Sequence, residues 1–162
     1  MTETLANQVL QAVGQAAELY HRLIVLAAPA GAGKTAALQK IHQRLHAPLI
    51  NINLELSRQM LDLTERQRAL RAPQLLRDIL DAAANDVVLL DNIELLFDAS
   101  LKQDPLRLLQ GLSRNKTVVV AWNGSTDGKF LVYAAPDHPE YKKYPIRDFL
   151  VIGPGLPGEA ER

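Results

Sequence analysis

Between Thr2 and Arg22, apolar side chains return every three or four residues, at Leu5, Val9, Val13, Ala16 and Tyr20. That is the period of a helix with one buried stripe. Leu23 to Ala27 is then a short, wholly apolar run closed by a turn rich in Pro and Gly, the pattern of a strand covered on both faces in a parallel sheet. Beyond the turn from Ala28 to Gly33, a second helix carries Ala37, Leu38, Ile41 and Leu45. Pro48 marks the next connection, and Leu49 to Leu54 reads as a second strand. From Glu55 to Ala84 the period is again helical. Pro73 interrupts it and is expected to begin a new helix, because proline fits a first turn and disrupts an interior.

Three further apolar runs, Val87 to Leu90, Thr117 to Trp122 and Phe149 to Ile152, complete the strands, with a helical stretch from Pro105 to Ser113 between the first two. Asp137-His138-Pro139-Glu140 has the spacing of a capping box, which predicts a short helix from Asp137 to Tyr144. The alternation of strand and helix implies an α/β fold, a three-layer sandwich around a mainly parallel five-stranded sheet with right-handed crossovers. Residues 1–152 make one core, and 153–162 a flexible tail rich in Gly and Pro.

Composition narrows the function. The chain has 162 residues, 18 Lys plus Arg against 18 Asp plus Glu, and no cysteine. One compact domain is the default at this length. Thiolate catalysis and cysteine-based zinc sites are excluded, and the four histidines, His21, His42, His46 and His138, have no metal-ligand spacing. Zero net charge argues against a bulk electrostatic grip on DNA or anionic lipid, so any basic contact must be a local patch. No apolar segment reaches eighteen residues, and the start of the chain lacks the basic-then-apolar pattern of a signal peptide. A cytoplasmic protein without a membrane contact is expected.

Residues 28–35 read Ala-Pro-Ala-Gly-Ala-Gly-Lys-Thr, the Walker A spacing with Ala28 in the first glycine position. Small residues let backbone N–H groups converge on phosphate oxygens, and the helix that follows adds its positive end. Pro29, Ala30, Gly31, Ala32, Gly33, Lys34, Thr35 and Ala36 are therefore the expected contacts of ATP. Lys34 would lie along the β and γ phosphates, and the Thr35 hydroxyl would face Mg2+. Asp91 ends the apolar run Val87 to Leu90, which delivers a carboxylate to the carboxyl edge of a parallel sheet and makes it, with Thr35, the candidate metal residue.

The long insertion between Lys34 and Asp91 resembles the division of P-loop NTPases that includes RecA and AAA+ proteins. There a glutamate usually follows the aspartate directly. Here Asn92 stands in its place, and Glu94 is the nearest candidate base, with an acidic residue in a helical first turn as the plain alternative. Asn123 resembles the polar residue that such proteins set against the γ-phosphate, although Asn-Gly also simply makes turns. With Lys34, these form the expected catalytic set. Arg147, ahead of the last strand, resembles an arginine finger in position. With ten residues after Ile152, no helical lid is expected.

Four longer stretches are more specific: Asn51 to Arg58, Leu89 to Phe97, Leu101 to Leu109 and Val119 to Gly124. Together they resemble BrxF, the small P-loop protein family of type III BREX phage-defence systems. That resemblance implies an accessory ATPase in antiviral defence, working beside a large AAA+ protein, a DNA methyltransferase and a phosphatase-like protein. Homo-oligomers and DNA contact stay open. A nucleotide-binding adaptor that hydrolyses little, and a small-molecule kinase, are the rival classes.

Overall fold

The computed structural model describes residues 2–134 and 139–153. In chain order the elements are α1 (Thr2–Ala16), β1 (Leu23–Ala28), α2 (Lys34–Leu45), β2 (Leu49–Asn51), α3 (Ile52–Met60), α4 (Glu65–Asp81) and β3 (Val87–Asp91). Two 3-10 turns, Glu94–Phe97 and Ala99–Leu101, lead to α5 (Pro105–Leu112), β4 (Thr117–Thr126), β5 (Phe130–Tyr133), β6 (Lys142–Pro145) and β7 (Leu150–Ile152).

Five strands pair in parallel in the order β2-β3-β4-β1-β7, as the alternation of elements requires. Every residue of β1 is buried. Its side chains alternate between two cores: Ile24 and Leu26 join the layer of α1 and α2, while Leu23 and Val25 join the layer of α3, α4 and α5. A strand buried on both faces has no polar face to show, which is why its sequence reads as a continuous apolar run.

The sheet continues past its parallel part. β4 runs on to Thr126 and pairs with β5, which pairs with β6, both antiparallel. The expected helix ending at Tyr144 is therefore corrected over its described part: Lys142–Pro145 is a strand, and 135–138 lie outside the described residues. Tertiary burial outweighs the local signal. Tyr144 sits edge-on to Trp122 at 6.1 Å and donates from its hydroxyl to Asp104 Oδ1 at 3.0 Å. Gly124 makes the hairpin possible. A Cβ there would stand 1.8 Å from the Val132 carbonyl oxygen, the same oxygen that accepts the Trp122 indole N–H at 3.1 Å.

Two other expectations are also corrected. β2 stops at Asn51 rather than Leu54, because the Asn51 side chain accepts from Leu54 N at 3.1 Å and caps α3. Pro73 lies inside α4 and begins no helix; the break falls at 61–64, where Thr64 and Gln67 form a capping box. A proline in a helix leaves the carbonyl four residues earlier without its donor. Here that carbonyl belongs to Ala69, and Gln103 Nε2 donates to it at 2.7 Å. The expected tail falls almost wholly on 154–162, outside the described residues.

Candidate functional site

The loop after β1 turns through two left-handed glycines, Gly31 at φ 81° and Gly33 at φ 96°. Side chains rarely adopt such angles, so glycine is required where the chain doubles back into α2. Lys34 opens that helix. Only 7% of it is exposed, and its Nζ donates to the carbonyls of Ala28 at 2.6 Å and Pro29 at 2.8 Å. Burial pushes its ammonium below the usual lysine range, and the carboxylates of Asp91 and Glu94 act against that shift.

Thr35, the next residue, donates from Oγ1 to Asp91 Oδ2 at 2.7 Å, which bridges the start of α2 to the end of β3. Asn92 then takes a left-handed φ of 54°, with its N–H on Asp91 Oδ1 at 2.9 Å. The chain drops into the 3-10 turn with Glu94 as its first residue. Two asparagines hold that carboxylate: Asn53 Nδ2 donates to Oε1 at 3.1 Å, and Asn123 Nδ2 to Oε2 at 2.9 Å. Asn53 also accepts from Leu95 N at 2.8 Å, and its own N–H reaches the Asn92 carbonyl at 2.8 Å.

One cleft of about 420 Å3 is formed by residues between Ala30 and Ala36 and faced by Asp91, Asn92, Glu94 and Asn123, with Asn53 behind Glu94 and outside the lining. Lys34, Thr35, Asp91, Glu94 and Asn123, expected at a site from sequence, stand together there. Pro29 and Ala32 do not line the cleft, and the Pro29 carbonyl is turned to Lys34. Arg147 is exposed between β6 and β7 and does not line it either.

Sequence reasoning missed Asn53. Reading the second strand through Leu54 placed Asn53 inside a strand; with β2 ending at Asn51, it stands at the sheet's carboxyl edge, in reach of Glu94.

The sequence profile of the ATPase family associated with various cellular activities (AAA) matches residues 24–140, more than two thirds of the chain and every residue of the cleft. The chain belongs to the AAA ATPase family. It is thus a P-loop NTPase with an α/β core. A comparison with curated proteins finds no match.

In this AAA domain the donor set fits a hydrated Mg2+ held jointly with phosphates. Thr35 and Asp91 offer one hydroxyl and one carboxylate in contact, and among the described residues no group of three or more His, Cys, Asp or Glu forms a metal cage. Magnesium is usually held this way, by one or two protein oxygens plus substrate phosphates. No described helix is long and apolar enough to cross a membrane.

Proposed function

We propose that the protein binds ATP with Mg2+ in this cleft and hydrolyses it, as an accessory ATPase of a bacterial BREX phage-defence complex in the cytoplasm. The observation that carries the enzymatic part is the facing of two sets of groups across one cleft: a phosphate loop with a lysine, and Glu94 held by Asn53 and Asn123. Backbone N–H groups from Gly31 to Thr35 cradle the β and γ phosphates, and the positive end of α2 favours their charge. Lys34 exchanges the Ala28 and Pro29 carbonyls for phosphate oxygens. Thr35 and Asp91 hold Mg2+, which neutralises charge on the phosphate oxygens when bound. Glu94 orients the attacking water: two amide donors occupy one site on each oxygen, and a carboxylate keeps further lone pairs for a water proton. Catalysis in this class rests on positioning and electrostatics.

The same clamp favours a second reading, a nucleotide-binding adaptor that sets an interface and hydrolyses little, because both carboxylate oxygens are already engaged. Single-turnover hydrolysis with enzyme in excess separates the two. Under the ATPase reading, Glu94→Gln slows hydrolysis at least a hundredfold with ATP affinity kept within about threefold; a wild-type rate no faster than that of ATP in buffer supports the adaptor, and an active wild type matched by Glu94→Gln means that another residue, Asn92 first, orients the water. The BREX assignment rests on the four stretches that resemble BrxF. Co-purification of the large AAA+ protein, the methyltransferase or the phosphatase-like component with the tagged chain would support it, and unchanged phage plating after deletion from a host carrying the system would overturn it.

A further inference from the structure

A second cleft of about 420 Å3, the same size as the first, opens where α4 and α5 end, at the opposite edge of the sheet from the phosphate loop. Leu80 and Leu112 supply its apolar part, and Arg77, Arg114 and Lys116 its charge, against the single carboxylate of Asp81. Two helix C-termini meet here, and their carbonyls would ordinarily repel an anion. Several of them are already covered. Lys116 Nζ donates to the Leu80 and Ala83 carbonyls. The Gln110 carbonyl accepts from Ser113 Oγ at 2.9 Å and lies 2.9 Å from His21 Nδ1.

That leaves the two guanidinium groups. Arg77 makes no ion pair or side-chain hydrogen bond with a described residue, not even with Asp81 one turn away. Arg114 lies over the ring of Tyr20, 4.8 Å from its centroid, and Tyr20 is 64% exposed and held edge-on by His21 at 4.8 Å. A planar cation on an exposed ring beside a second cation offers a stack for a base and donors for a phosphate. Gly111 lines the cleft. It lies inside α5, where glycine costs about 1 kcal/mol relative to alanine, and a Cβ there would meet nothing within 4 Å, so packing does not require it.

We infer that this cleft binds single-stranded nucleic acid, with a phosphate on Arg77 and Arg114 and a base on the Tyr20–Arg114 stack. A strand is favoured over a duplex because the base must be unstacked to reach the ring. The contact is local. With the chain neutral overall, one phosphate held by the two arginines gives a logarithmic salt slope of about −0.7 on a single strand.

The test is fluorescence anisotropy of a fluorescein-labelled single-stranded dT 20-mer on the full chain, without nucleotide, at several salt concentrations. Binding is expected, with Arg77→Glu, Arg114→Glu and Gly111→Glu each weakening it at least tenfold. Gly111→Ala, which fits without a clash, reports that α5 tolerates substitution and should bind as wild type. Arg58→Glu, on α3 and away from the cleft, and Lys34→Ala, in the phosphate loop, should both leave binding unchanged. The inference is overturned if the 20-mer fails to bind at tens of micromolar protein, if folded Arg77→Glu and Gly111→Glu bind as wild type, if Lys34→Ala abolishes binding, or if a duplex of the same length binds equally well.

Discussion

Lys34 is a charge that the fold itself disfavours. Its ammonium is buried against two carbonyls, and the resulting downward pull on its pKa means that the folded chain binds that proton less tightly than the unfolded one. Stability therefore rises with pH as Lys34 deprotonates below the usual lysine value of 10.5. Lys34→Met, which keeps the length without the charge, should melt at or above the wild-type temperature at pH 8, and the difference should narrow as pH approaches 10.5, while ATP binding is lost at every pH. A lower melting point for Lys34→Met, or retained ATP affinity by calorimetry, would contradict this. The loop was legible in the sequence because its eight residues are contiguous and its glycines answer to local backbone geometry. Asn53 was not, because what defines it is a carboxylate 41 residues away. No spacing rule connects the two until the sheet brings β2 beside β3.

Single contacts decide whole elements. Gly124 permits β5 to approach β4, and Gly124→Ala puts a methyl group on the Val132 carbonyl oxygen. A cost of about 3 kcal/mol is expected from overpacking and the displaced strand, measurable as a lowered urea midpoint. α4 depends on a substitute donor. Gln103→Ala should cost about 1 kcal/mol by leaving the Ala69 carbonyl unpaired. Pro73→Ala restores the helical N–H, so Gln103→Ala in that background should cost much less, and a double-mutant cycle reads the coupling. The hairpin also carries a pH response. Burial, with Glu94 and Glu140 nearby, pushes the Tyr133 hydroxyl up to about 12. A raised pKa stabilises the fold below the unfolded value near 10 and is lost as pH climbs from there towards 12. Alkaline melts of wild type should fall more steeply over that interval than those of Tyr133→Phe. The parallel strands could be read from sequence since burial on both faces leaves apolar runs, whereas β5 and β6 are short, half exposed and held by distant partners such as Asp104.

At the scale of the molecule, the described residues leave the nucleotide cleft open on one side. Arg147 does not line it, and no described residue facing it is an arginine. Transition-state charge on the γ-phosphate then lacks the guanidinium that is worth about 10³ to 10⁵ in rate where one is present. The isolated chain should be a slow ATPase whose rate per chain rises with its own concentration or with added partner protein. Arg147→Ala measured beside wild type identifies the donor. A flat rate that no partner raises would reject assembly, and an unaffected Arg147→Ala would reject that arginine alone. The alternation of strands and helices made the sandwich legible. The cleft at the far edge was not, since Arg77, Arg114 and Tyr20 belong to three separate segments with no shared pattern.

Trp122 is the sole tryptophan of the chain, fully buried, with Phe97, Tyr133 and Tyr144 within 6.1 Å of its ring centroid. Its neighbour in sequence is Asn123, one of the two amides on Glu94. The protein thus carries its own optical gauge. Tyrosine-excited emission should pass by energy transfer to a blue-shifted indole, and a change at Asn123 as a ligand enters should alter its intensity, so nucleotide occupancy can be followed by light alone, without a label.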